Sequence, residues 1–284
     1  MRSLLVGLLL LAPAVGLAAG PEQRVEFFVG VTLVDPWLDA SYTTDFPANL
    51  GTGSGGQTLN VQGDGGPGGA LGIGFFPDPR FGVWLTASRT ALDLGGVNSP
   101  YTWHTRVTEQ QPPDYQPRDF DFSETTPWPD TSGRLKVLAF SLDGVLRWGA
   151  GRRVHGSVSG GISALRVSAD LATVGYTTFH LGGHSTFFPV EYQLGLTVEP
   201  HTTLGLQLGA EVELALGRKL GLRLAGQVLR AQEFDAAIGE LQVRNPDEIF
   251  LATPIADIRA SLDPPPLQLD ASSTRLLVAL VLRP

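Results

Sequence analysis

Between Leu204 and Leu216 every second residue is apolar. Leu204, Leu206, Leu208, Ala210, Val212, Leu214 and Leu216 share one face; Gly205, Gln207, Gly209, Glu211 and Glu213 share the other. Successive side chains of an extended chain point to opposite sides, so this stretch is a strand with one greasy face and one small, polar face. A helix would scatter the same leucines around its whole circumference.

The period recurs seven more times. Val25 to Leu33, Gly69 to Phe76, Phe81 to Ala91, Leu138 to Trp148, Val154 to Ala164, Leu220 to Val228 and Leu276 to Leu282 all alternate. Each segment approaches the roughly 9–11 residues of a tilted membrane strand. A soluble sandwich also has one apolar face per strand. Here, however, the opposite face is mostly Gly and Ser with a few charges of both signs, which suits a narrow barrel interior. Only 17% of residues are charged and mean hydropathy is +0.08, yet no interior run reaches the ~20 apolar residues of a membrane helix.

The connections alternate in length. Pro77 to Arg80, Gly149 to Arg152 and Gly217 to Lys219 are tight turns, whereas 35–68, 94–133, 170–203 and 232–273 are long links. Short turns at one end and long loops at the other describe an outer-membrane barrel. The long links hold 21 of the 28 acidic residues and 4 of the 20 basic ones, so the loop end is acidic. Phe75, Phe76, Phe81 and Trp148 sit near the turn end, where an aromatic girdle belongs. An extra alternating segment, Val190 to Val198, either extends a hairpin above the membrane or adds two strands. The expectation is eight strands, with ten as the alternative.

Met1-Arg2-Ser3, an apolar run from Leu4 to Leu11 and a small-residue end at Ala12 to Gly20 have the three parts of a secretory signal. The domain reading is therefore a signal peptide at 1–19 and a barrel domain at 20–284, with no periplasmic domain after it. The absence of Cys removes disulfides and thiolate sites. A net charge of −8 without a basic cluster argues against nucleic acid.

Val25-Glu26-Phe27-Phe28-Val29-Gly30, the hairpin Gly72-Ile73-Gly74-Phe75-Phe76-Pro77-Asp78-Pro79-Arg80-Phe81-Gly82-Val83, and Leu208 to Leu214 with Arg218 to Leu222 carry a generic likeness. The pattern resembles the small Gram-negative outer-membrane barrels of the OmpW and OmpA-transmembrane-domain type. That resemblance implies an up-and-down antiparallel barrel and, for the OmpW type, a narrow apolar channel with a lateral opening. The chain departs from it in its long acidic loops and in ending on Arg283-Pro284, where a closing strand usually ends on an aromatic.

Asp143, Arg147, His155, Glu211, Glu213 and Arg223 fall on the faces expected to line the interior. Opposed charges there would hydrogen-bond to one another and plug the barrel, since eight strands leave room only for side chains or one small ligand. Gly182-Gly183-His184-Ser185 is the only hint of an esterase pair. Neighbours in a strand point apart, so it reads as a polar loop. The acidic clusters Asp114 to Asp130 and Asp247 to Asp270 lack Ca²⁺-loop spacing and read as solvated surface. Gly51 to Gly69 reads as flexible loop. The expectation is a non-enzymatic barrel in the cell outer membrane, without cofactor or metal. It would be a structural or surface component or a narrow conduit for small solutes, hydrophobic ones included. The alternative is an adhesion or partner-binding barrel acting through its acidic loops. The expected partners are outer-membrane lipid and lipopolysaccharide, the barrel assembly machinery and a small solute.

Overall fold

A computed structural model describes residues 24–47, 52–96, 101–109, 118–126, 131–149, 153–180, 187–236, 238–244 and 267–284. Eight strands form the barrel: β1 (Arg24–Pro36), β2 (Gly66–Asp78), β3 (Phe81–Gly96), β4 (Thr131–Trp148), β5 (Val154–His180), β6 (Phe187–Ala215), β7 (Leu220–Ala231) and β8 (Ser273–Leu282). Each pairs antiparallel with its sequence neighbour, and β8 pairs with β1 from Phe27↔Leu282 to Pro36↔Ser273. The ladder is therefore closed, and no membrane strand is left with an unpaired edge. These eight strands contain the eight alternating segments.

The alternation sorts inside from outside. Leu204, Leu206 and Leu208 are 63–70% exposed, and Val31, Ile162, Leu142, Leu224 and Leu280 lie on the same outer surface. Their neighbours Thr203, Gln207, Ser163, Ser141 and Arg223 are buried inside. An apolar girdle of this kind is stable only against hydrocarbon, because in water it would be an exposed patch far larger than monomers tolerate. Inward glycines make room for large rings. A Cβ at Gly72 would collide with Phe28, at Gly74 with Trp84 and at Gly82 with Phe76.

Eight strands, not ten, cross the membrane. The segment from Val190 to Val198 is the upper part of β6, paired with β5 as far as Phe187↔His180. Pro200 does not end the strand; its missing N–H is absorbed by a register shift between Val198 and His201. The described parts of the long links are themselves largely sheet. Strand 39–47 pairs with 52–63, strand 101–109 with 118–126, and 238–244 with the upper part of β6. The flexible-loop reading of Gly51 to Gly69 is thus corrected. Residues 52–63 form a strand and Gly66 to Gly69 begin β2, because backbone pairing alone holds a glycine-rich segment when both neighbours supply partners.

Candidate functional site

The functional candidates converge on the barrel interior at the turn end. Glu26 enters from β1, Arg147 from β4, His155 from β5, Glu211 and Glu213 from β6 and Arg223 from β7. Arg283, just past β8, completes the set. Each sits on the inward parity of its strand, at the end of the barrel where the short turns lie.

Glu26 is fully buried and is the hub. Arg147 donates to it through both terminal nitrogens, Nη1 to Oε1 at 3.1 Å and Nη2 to Oε2 at 2.9 Å. Arg283 donates from Nε to Glu26 Oε1 at 2.8 Å and from Nη2 to Glu213 Oε1. Arg223 donates from Nη2 to Glu213 Oε2 at 3.4 Å, and its Nε lies 3.3 Å from Glu211 Oε2 without hydrogen-bond alignment. His155 Nε2 is 3.5 Å from Glu213 Oε2. Aromatic faces cover the guanidiniums: Arg147 lies 3.9 Å above Phe76, and Arg223 4.2 Å from the ring centre of Trp84. Charges taken out of water this completely persist only when paired, and the ring faces add attraction where no carboxylate reaches.

One layer further in, Gln207 Nε2 donates to Asp143 Oδ2 at 3.3 Å, and Ser141 and Ser163 donate to Gln207 Oε1 at 3.4 Å each. Asp143 is buried, and its Oδ1 has no partner among the described residues. Arg275 is held by hydroxyls, Nε to Ser273 Oγ at 3.2 Å and Nη1 to Ser88 Oγ at 3.5 Å. Towards the loop end the lining turns apolar: Leu92, Leu135, Val137, Leu165, Val167 and Leu229 are buried and face inward. An interior of only glycine, serine and matched ions is therefore incomplete as a description. In this half the alternation reverses, with apolar side chains turned inward and Asp93, Arg134, Lys136 and Arg166 outward. Between Arg275 and the apolar layer an enclosed cavity of about 10 Å³ has room for one water.

The six sequence candidates thus fall into two layers: Arg147, His155, Glu211, Glu213 and Arg223 with the hub, and Asp143 above them. Glu26, Arg275 and Arg283 were not among them. Their parity gave the signal, since Glu26 alternates with Val25 and Phe27, and Arg275 and Arg283 alternate with Leu276 to Leu282. The signal segment, His184-Ser185 and the acidic positions Asp114, Asp130, Asp247, Glu248, Asp257 and Asp263 lie outside the described residues.

No family model and no curated protein matches the chain. Several solved barrels are similar in outline. The outer membrane protein OprG from Pseudomonas aeruginosa has a TM-score of 0.47 at 11% identity, over 93% of this chain and 97% of that one. Neisserial surface protein A has a TM-score of 0.36 at 12% identity, over 90% and 96%. Ail, the attachment invasion locus protein of Yersinia pestis, has a TM-score of 0.32 at 8% identity, over 90% and 97%. The closed ladder, the outward girdle and the short-turn, long-hairpin asymmetry of the chain itself make it an eight-stranded barrel of the outer membrane.

Proposed function

We propose that the protein is a non-enzymatic surface component: a sealed barrel that anchors long hairpins outside the cell. The observation that carries this reading is the Glu26-centred network, in which five charged side chains from β1, β4, β6, β7 and the end of β8 meet across the bore. Water and ions entering from the turn end would have to break several buried ion pairs at once. Planar-bilayer recording of the refolded mature chain tests it. The expected result is no stable ohmic conductance for the natural sequence and measurable conductance for Arg147→Ala with Arg223→Ala. A steady conductance in the unaltered protein sinks the proposal.

A second reading, a narrow conduit for small apolar solutes, has its own support. The loop-end half of the lumen is apolar, and the ladder of β6 towards β7 is interrupted between Val198 and Leu204. His201 stacks on Phe234 there, 4.4 Å apart and 7° from parallel. Uptake of an apolar fluorophore into proteoliposomes, faster for Phe234→Ala, would favour it.

A further inference from the structure

The outer surface of β3, β4 and β5 carries an ordered grid just above the apolar girdle. Three rows are set by the ladder: Arg89–Leu138–Arg166, then Ala91–Lys136–Ser168, then Asp93–Arg134–Asp170 towards the hairpins. Below them lie Ala87–Phe140–Ala164 and Leu85–Leu142–Ile162, which are part of the girdle. Two of the four cations are neutralised: Lys136 Nζ meets Asp170 Oδ2 at 2.7 Å, and Arg134 Nη2 meets Asp93 Oδ1 at 3.4 Å. Arg89 and Arg166 are exposed and have no carboxylate partner among the described residues. These two form the row that touches the hydrocarbon edge. Two strand spacings separate them, about 10 Å between Cα atoms, with Leu138 between.

Elsewhere around the rim the chemistry differs. Asp35 and Thr274 face outward on β1 and β8, Thr202 and Glu199 on β6, and the guanidinium of Arg230 lies 4.1 Å above the Trp37 ring. Arg89 and Arg166 differ in having neither a ring nor a carboxylate partner among the described residues, and they stand together towards the loop end, which faces the outer leaflet. Arginine offers forked donors suited to phosphate.

We propose that this sector binds the phosphorylated, acylated disaccharide of lipopolysaccharide. Arg89 and Arg166 take the sugar phosphates, and the acyl chains lie on Leu138, Phe140, Leu142 and Ile162. The proposal does not depend on whether the bore is sealed.

The test uses the refolded mature chain in detergent with EDTA, titrated with bisphosphorylated lipid A, with the same lipid stripped of its phosphates, and with inorganic pyrophosphate. Bound lipid is read by native mass spectrometry, and heat-modifiable mobility certifies folding of every variant. The expected order is bisphosphorylated lipid A tightest, the other two much weaker. Arg89→Gln with Arg166→Gln should lower lipid A affinity roughly tenfold or more. Arg89→Lys with Arg166→Lys should recover most of it, and Arg80→Gln with Arg218→Gln at the turn end should change nothing. Equal binding of the phosphate-free lipid by the natural sequence overturns the proposal without any variant. So does pyrophosphate binding as tightly as lipid A, or an undiminished affinity in the double glutamine variant.

Discussion

Glu26, third residue of the first barrel strand, and Arg283, one residue beyond the last, are 257 positions apart in sequence and bonded at 2.8 Å. The contact lies beside the β1–β8 seam, where the barrel closes on itself. Arg147 from the facing wall grips the same carboxylate, so the seam is tied both to its own neighbour and across the bore.

Removing that hub should be costly. Glu26→Gln leaves the buried Arg147 without its countercharge and the half-buried Arg283 with Glu213 alone, which should destabilise the barrel by about 3–5 kcal/mol. Urea unfolding in lipid vesicles, followed by tryptophan fluorescence, measures it. Combining Glu26→Gln with Arg147→Met should restore part of the loss, because one stranded charge has gone. A single variant as stable as the natural chain would show that the network is not holding the seam.

The packing of Trp84 depends on the missing side chain of Gly74. A Cβ there would lie about 2.7 Å from the indole ring, closer than real Cβ contacts allow. Trp84 also packs edge-on against Phe28 and Phe76, at 5.1 and 5.7 Å, so the ring has nowhere to retreat. Gly74→Val should cost roughly 1–3 kcal/mol or prevent folding. The check is the fraction of heat-modifiable, folded protein; an unchanged fraction with unchanged urea midpoint contradicts the packing.

Leu208 stands in the middle of the girdle and is 70% exposed. Leu208→Arg should destabilise the barrel in vesicles by about 2–4 kcal/mol, as expected for a basic side chain at the bilayer midplane. The same substitution at Leu216, which belongs to the turn end, should cost little. Similar penalties at both positions would mean that the girdle is not placed as described.

The upper parts of β5 and β6 should be dispensable for assembly. Below the register shift at Val198 and His201 the two strands remain paired from Val167↔His201 to Val154↔Leu214, and both have barrel neighbours on their other sides. Replacing residues 173–194 with a short turn should leave folding and heat-modifiability intact while removing any adhesion carried by this hairpin. Loss of folding would show that the extension is part of the barrel itself.

Alternation made most of the barrel readable in advance. Leu204 to Leu216 declares its two faces without ambiguity, because every inward side chain is Gly, Gln, Glu or Ala and every outward one is apolar. Residues 134–138 mislead, since Leu135 and Val137 face the interior while Arg134 and Lys136 point outward, the reverse of the apolar-out rule that Leu138 then resumes. The glycine-rich stretch at 52–63 was illegible for another reason: glycine carries no face, so only the partner strand 39–47 identifies it as sheet.

What the sequence alone determined was which residues share a face, where the tight turns fall, and that the chain must close in order to cross a membrane. These follow from a two-residue period and from the cost of an unpaired backbone group in hydrocarbon, both local properties. Only the tertiary structure decided that Glu26 is the centre of the charge network, that Arg283 reaches two acids, and that Arg89 and Arg166 stand level on the outer wall. Parity says whether a side chain points inward or outward, but the tilt and register of eight strands decide which one it meets there.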